Sequence, residues 1–275
     1  MQKFERIFGT TKTRVIGMIH ANALPGTPNY KNDFNQTIEK VRHEAHIYKK
    51  HNVHGILLEN MHDIPYIQQD KQFNAETTAC MTRLSMEIKS IIPDRTPCGI
   101  QVLACGNQQA LAIAKATNFQ FIRVEGFVFS HIADEGFTNA NAGELLRYRK
   151  NIDAEDVLVF TDVKKKHSSH SITEDISLPE TVKAAEFFLS DGVILTGSAT
   201  GHAANPKDLD AVYGHTKVPI LIGSGVTEEN VEKYVQKANG LIIGSYFKNG
   251  GDWMNDLSDN RVEHFMNKVN GLIHG

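Results

Sequence analysis

Cysteine is scarce in this chain. Its 275 residues hold three, Cys80, Cys98 and Cys105, with no CxxC pair among them. An odd number without paired spacing argues against an oxidised disulfide framework and fits a reducing compartment. Long apolar runs are missing too: none approaches the roughly 20 residues that cross a bilayer. Met1 to Thr13 mixes Lys3, Glu5, Arg6 and Lys12 with few apolar residues, unlike the core of a secretory signal. Nor is there an excess of charge of one sign. A net charge of −3 gives no general attraction to nucleic acid or anionic lipid. The hydrolytic metal patterns HExxH and an HxH at the first strand are absent. These absences lead us to expect a cytoplasmic protein with a small-molecule ligand, no transmembrane segment and no nucleic-acid partner. Homo-oligomerisation is left open by the sequence, because an exposed helix patch cannot be told from a buried one.

What is present is a regular rhythm. Hydrophobic residues at 41% and charged residues at 22% allow burial to offset chain ordering without a staple. Eight short apolar runs rich in Val and Ile recur, each followed by a polar loop and a segment of helical period. They are Arg14–Ile19, Gly55–Leu58, Gly99–Leu103, Phe121–Val124, Val157–Thr161, Gly192–Leu195, Pro219–Ile222 and Leu241–Ile243. Nearly continuous apolarity marks parallel strands covered on both faces. Asp33 reads as the cap of a helix to about Lys50, Pro179-Glu180 suits a helical first turn, Thr227 opens a predicted helix to about Ala238, and a last helix runs from about Asp259 to Ile273. The expected fold is a single (β/α)₈ TIM barrel over residues 1–275, with all eight βα loops at one rim, where the chemistry of such barrels lies. Three loops there are long, 60–74, 126–139 and 164–177.

The rim residues carry the functional reading. Strand 7 runs into Gly223-Ser224-Gly225, and strand 8 ends in Gly244-Ser245. Glycines let backbone amides face a ligand, and a helix opening at Thr227 would add unsatisfied N–H groups. Barrels often seat a phosphate between these two loops, so a phosphorylated small-molecule ligand is the expected partner. A bulky residue at Gly225 is expected to abolish phosphate binding with the fold intact. Strand 5 ends in Asp162, followed by Lys164, Lys166 and His167; if extension continues, Asp162, Lys164 and Lys166 share one face, and a desolvated lysine could serve as base or Schiff-base nucleophile. Glu59 at the end of strand 2 is a candidate general acid or base, with Asn60, His20, Thr196, Gly197 and Thr200 as candidate ligand contacts. Arg123 and Glu125 on strand 4 share a face and are expected to pair with each other. No cofactor is expected, although a divalent metal could be assembled across strands from Glu59, Asp162, His167 and His202.

Several of these segments together resemble the BtpA/SgcQ family. The resemblance rests on Gly17-Met18-Ile19-His20 with Leu24-Pro25-Gly26-Thr27-Pro28, on Glu59-Asn60 with Asp63, Pro65 and Tyr66, and on Phe121-Ile122-Arg123-Val124. It continues through Glu144 to Arg149, Asp162-Val163 with Lys166-His167-Ser168, Thr196-Gly197 with Thr200-Gly201, Gly223 to Thr227, and Gly244-Ser245 with Phe247-Lys248. It implies a barrel of the ribulose-phosphate-binding kind with a phosphate cup at strands 7 and 8, and it supplies no settled reaction. Cyanobacterial relatives are associated with photosystem I biogenesis, SgcQ-like ones with sugar-phosphate metabolism. The chain departs from the family at Phe127-Val128-Phe129-Ser130-His131, which is bulkier and more aromatic. The leading expectation is an isomerase, lyase or hydrolase acting on a phosphorylated sugar or nucleotide. A non-enzymatic ligand sensor or assembly factor and a metal-dependent hydrolase are the alternatives.

Overall fold

The computed structural model describes residues 1–68, 75–197 and 199–274. Residues 69–74 of the long loop after the second strand, and Ser198, lie outside the described residues. Eight parallel strands close into a barrel: β1 (Arg14–His20), β2 (Gly55–Glu59), β3 (Cys98–Gln101), β4 (Phe121–Val124), β7 (Leu158–Val163), β9 (Gly192–Leu195), β10 (Ile220–Ile222) and β11 (Gly240–Ile243). Neighbours pair in chain order, and β11 returns to β1 with Arg14 opposite Gly240. Each expected strand is found, β4 and β9 with the expected bounds and the others displaced by a residue or two at one or both ends.

Strict alternation along these strands decides which side chains enter the barrel. In β7, Val159 and Val163 face the helices, while Leu158 and Phe160 join the interior cluster with Ile16, Met18, Leu57, Phe121, Ile194, Leu221 and Ile242. Continuing the same parity toward the C-terminal rim puts His20, Glu59, Gln101, Arg123, Asp162, Gly223 and Gly244 on the interior side. Register then sets three of them in a row, since His20 pairs with Glu59 and Glu59 with Gln101.

The opposite mouth is sealed. A short helix, α1 (Gln2–Phe8), precedes β1 and buries Phe4 and Phe8 in the interior cluster. Their rings stack at 4.4 Å, Phe8 lies 5.9 Å from Phe121, and Phe4 lies 6.2 Å from Phe160. The barrel interior is thereby closed at its N-terminal mouth.

Outside the barrel run α2 (Phe34–Lys50), α3 (Ala75–Ile91), α4 (Asn107–Thr117), α5 (Ala142–Asn151), α6 (Leu178–Phe187), α7 (Pro206–Val212) and α8 (Asp259–His274). Asp33 caps α2 by accepting from the Gln36 amide, as expected, and Ser177 forms a reciprocal capping box with Glu180 at the start of α6. The helix expected from Thr227 does not form. The segment makes a 3₁₀ turn at Val231–Lys233 flanked by isolated turns, and Asn230 ties it back to the β10 turn: its Oδ1 accepts from the Thr227 amide and its Nδ2 donates to the Gly225 carbonyl. Two of the long loops fold on each other. β5 (His131–Ala133) and β6 (Gly136–Thr138) form a hairpin whose first strand pairs antiparallel with β8 (Ser168–Ser169), giving a small sheet at the rim.

Candidate functional site

A cavity of about 220 Å³ opens at the C-terminal rim, lined by both glycine turns and by His20, Glu59, Arg123, Lys166 and Thr200. On the glycine side, Gly225 has a φ of +66° and its Cβ position lies 2.1 Å from the Ala203 amide nitrogen, so only glycine lets the β10 turn pack against the 202–203 backbone. The expectation of an intact fold after a bulky substitution here is therefore corrected: that chain would have to move. The Ser224 hydroxyl is already spent, accepting from the Gly197 amide at 2.7 Å and donating to the His202 carbonyl at 2.9 Å. Ser245 and Tyr246 open a 3₁₀ turn, Ser245–Phe247, whose first amides find no partner within such a turn. The Gly225 and Val226 amides make no backbone hydrogen bond with any described residue.

With no α-helix opening at Thr227, helix-terminus charge gives this cup no help, and a side chain supplies the cation instead. Arg261, in the first turn of α8, stacks at 4.4 Å over the Tyr246 ring and donates from Nε to the Tyr246 carbonyl at 2.6 Å while lining the cavity. Sequence reasoning missed Arg261, which stands far from any strand end; no local pattern marks it.

Across the cavity the interior is ionic. Arg123 forks onto Asp162 with two 2.9 Å hydrogen bonds, Nε to Oδ1 and Nη2 to Oδ2, both side chains being buried. Glu125 pairs with Lys165 at 2.9 Å and accepts from the Cys105 amide at 3.1 Å. The expected Arg123–Glu125 pair is thus replaced by two pairs between strand ends. Burial works to lower the Arg123 pKa, but Asp162 and the other carboxylates hold it above its ordinary value. The Cβ position of Gly223 lies 3.3 Å from Arg123 Nη2, so the guanidinium reaches the floor under the β10 turn, where any side chain would crowd it.

Glu59 is different. It has no carboxylate-binding fork; its nearest ionisable partner is His20, with Nε2 3.6 Å from Oε2. Burial pushes its pKa up to about 6, against the downward pull of Arg123 and Lys166 and with help from Glu125 and Asp162. His20 is driven well below the ordinary histidine value by burial first and then by Lys248 and His62, against the upward pull of a hydrogen bond with the Trp253 backbone. On the other side of Glu59, Gln101 Oε1 is buried with no hydrogen-bond partner among the described residues.

The four basic residues after β7 part company. Lys164 adopts φ +47° and reaches the Thr173 carbonyl at 3.4 Å; extension stops at Val163, so it does not share a face with Lys166. Lys165 is spent on Glu125, and His167 Nε2 lies 2.9 Å from the Thr200 hydroxyl and accepts from its amide at 3.1 Å. Lys166 alone of the four lines the cavity. Its own pKa is lowered by burial and by Arg123.

Of the other candidates, Asn60 clamps the β3 loop through the Leu103 amide and carbonyl and donates to Asp63, Thr196 accepts from the Lys166 amide, and Gly197 is pinned by Ser224. These three shape the rim and do not line the cavity. Asp162 lies behind Arg123. Among the described residues no group of three His, Cys, Asp or Glu side chains could hold a metal ion, and Glu59, Asp162, His167 and His202 are not brought together. No described helix is long and apolar enough to cross a membrane.

The model of the BtpA family matches residues 11–271. The chain belongs to the BtpA family. An uncharacterized mitochondrial protein of Caenorhabditis elegans is 45% identical over 97% of the chain and 96% of its own length. The photosystem I biogenesis protein BtpA of Synechocystis is 33% identical over 94% of the chain and 90% of its own length. Since the worm relative is described as mitochondrial, family membership does not itself imply a cytosolic location. In fold, this BtpA-family barrel is similar to thiamine phosphate pyrophosphorylase from Pyrococcus furiosus, with TM-score 0.56 at 13% identity, covering 96% of this chain and 97% of that one. It is also similar to orotidine 5'-monophosphate decarboxylase from Methanocaldococcus jannaschii, with TM-score 0.57 at 12% identity, covering 94% and 99%.

Proposed function

We propose that this BtpA-family protein is an enzyme acting on a phosphorylated small molecule, in which the phosphate sits between the β10 and β11 turns and Glu59 transfers a proton. One observation carries the reading: unspent amides at two adjacent strand ends share a cavity with a buried carboxyl whose pKa of about 6 lets it give or take a proton near neutrality. The amides of Gly225, Val226, Ser245 and Tyr246, the Ser245 hydroxyl and Arg261 would bind the phosphate oxygens. Arg123, fixed by Asp162, would stabilise negative charge developing on a substrate oxygen. The names of both fold neighbours include a phosphate compound, which agrees with this reading.

Size narrows the ligand. At about 220 Å³ the cavity is smaller than the roughly 300–1,000 Å³ usual for drug-sized ligands, which favours a compact sugar phosphate over a nucleotide. Calorimetry with ribose 5-phosphate and with ribose tests the binding half: heat from the first and none from the second is expected, and equal binding of both would end the proposal. For the chemical half, NMR in D₂O should show loss of the proton next to the sugar carbonyl. That exchange should stop in Glu59→Gln while phosphate binding persists. No exchange with any bound sugar phosphate would favour the ligand-sensing alternative.

A further inference from the structure

Lys166 is placed for a role that proton transfer by Glu59 does not explain. Its main chain is fixed on both sides: the amide donates to Thr196 Oγ1 at 3.2 Å, and the carbonyl accepts from Ser168 Oγ at 3.2 Å. The next residue, His167, is clasped to Thr200. A rigid tether thus points the side chain into the cavity, a long and entropically costly side chain to order without a partner. Yet no ion pair or hydrogen bond is made by its Nζ among the described residues. Two of the carboxylates around it are already occupied, Asp162 by Arg123 and Glu125 by Lys165, and the third, Glu59, shares the cavity without bonding to it. A cation meant only for stability would be expected to share one of them, as buried lysines elsewhere in the chain do, for example Lys248 with Glu44 at 2.7 Å.

We propose that Lys166 is a catalytic nucleophile, and that the substrate is accordingly a phosphorylated aldehyde or ketone, which it holds as an imine. The proposal rests on the phosphate reading above and names the substrate class for the same site. Neutral Nζ attacks the carbonyl carbon, forming a C–N bond as the C=O π pair moves to oxygen and takes a proton from the Glu59 carboxyl. Glu59, now a carboxylate, removes a proton from nitrogen. The hydroxyl takes a second proton from the reprotonated Glu59 and leaves as water while the nitrogen lone pair closes the C=N bond, and the Glu59 carboxylate takes the remaining proton from nitrogen, so one water is released for each imine formed. Burial and the fixed Arg123 charge both favour the neutral amine this step requires.

Reductive trapping decides the matter. The full chain is incubated with dihydroxyacetone phosphate or glyceraldehyde 3-phosphate and sodium borohydride. Hydride then adds to the imine carbon and leaves a secondary amine, heavier by the sugar phosphate less one oxygen. Peptide mass spectrometry should place this adduct on Lys166. The same treatment with unphosphorylated glyceraldehyde should label Lys166 at least tenfold less. Lys166→Arg keeps the charge and lacks the nucleophile, and should give no adduct there while still binding glycerol 3-phosphate, which has no carbonyl. Adducts spread over surface lysines, or none at all, with glycerol 3-phosphate binding intact, would overturn the imine and leave the phosphate reading standing. Loss of glycerol 3-phosphate binding by the unmodified chain would overturn the phosphate reading, and the imine proposal with it.

Discussion

The two ends of this barrel are built from the same eight strands and have opposite characters. At the N-terminal mouth Phe4, Phe8, Phe121 and Phe160 fill the interior as a buried aromatic plug. At the C-terminal mouth the interior positions of the same strands hold His20, Glu59, Arg123 and Asp162 around an open cavity. Apolar burial stabilises the first end by excluding water, whereas the second gathers groups that would be more comfortable solvated and leaves Gln101 Oε1 without a hydrogen bond among the described residues. The contrast teaches that one end supports the fold and the other holds polar groups at a cost in stability, so substitutions at the two ends should differ in what they change and even in sign.

The largest expected effects test the support role and the buried fork. Phe4→Ala should cost about 3–5 kcal/mol of stability in chemical denaturation and leave phosphate affinity within twofold by calorimetry; a matching loss of affinity would break the comparison. Asp162→Ala leaves the buried Arg123 charge unpaired and should cost about 3–5 kcal/mol as well, but here ligand affinity should fall with it. Gly225→Val is intermediate. A positive φ and a backbone collision at Ala203 should cost about 1–3 kcal/mol and weaken phosphate binding at least tenfold.

Glu59→Gln sharpens the comparison through its sign. The folded protein holds this carboxyl at about 6 against an ordinary 4.5, so the native state binds the proton more tightly than the unfolded chain does. Ionised Glu59 therefore costs stability, an effect absent below about pH 4.5 and fully present above about pH 6, of about 2 kcal/mol. The variant should be more stable than the parent by that amount at pH 8 and equal to it near pH 4, as followed by urea unfolding. The smallest effect lies away from both mouths: Ser177→Ala removes the capping box of α6 and should cost about 1 kcal/mol, with no change in ligand binding.

Much of the frame was legible because it depends on local pattern. Short apolar runs gave the eight strands, and Asp33 and Pro179 marked helix starts, since capping and strand burial act within a few residues. The helix expected at Thr227 is reduced to a 3₁₀ turn at Val231–Lys233, although the Thr227 amide and Asn230 make the bond that a helix start would use. Membership of the BtpA family was legible from the order of many short blocks, each too weak alone. The β5–β6 hairpin and its pairing with β8 were read only as long loops: the hairpin strands are three residues each, and the ladder to β8 joins Ala133 to Ser168 and Ile132 to Ser169, far apart in the chain.

The sequence alone determined which residues point into the barrel, because side-chain direction in a strand repeats every two residues and each strand end could be located. Tertiary structure decided what those residues do there. Arg123 could reach either Glu125 or Asp162, and the closed ring settled the choice by bringing β7 alongside β4. Likewise Lys164, Lys165, Lys166 and His167 are four basic residues in a row, and positive φ at Lys164 and His167 together with partners on other loops leave Lys166 facing the cavity. Charge partners are chosen by distance in space, and distance across a barrel is not written in the spacing along its chain.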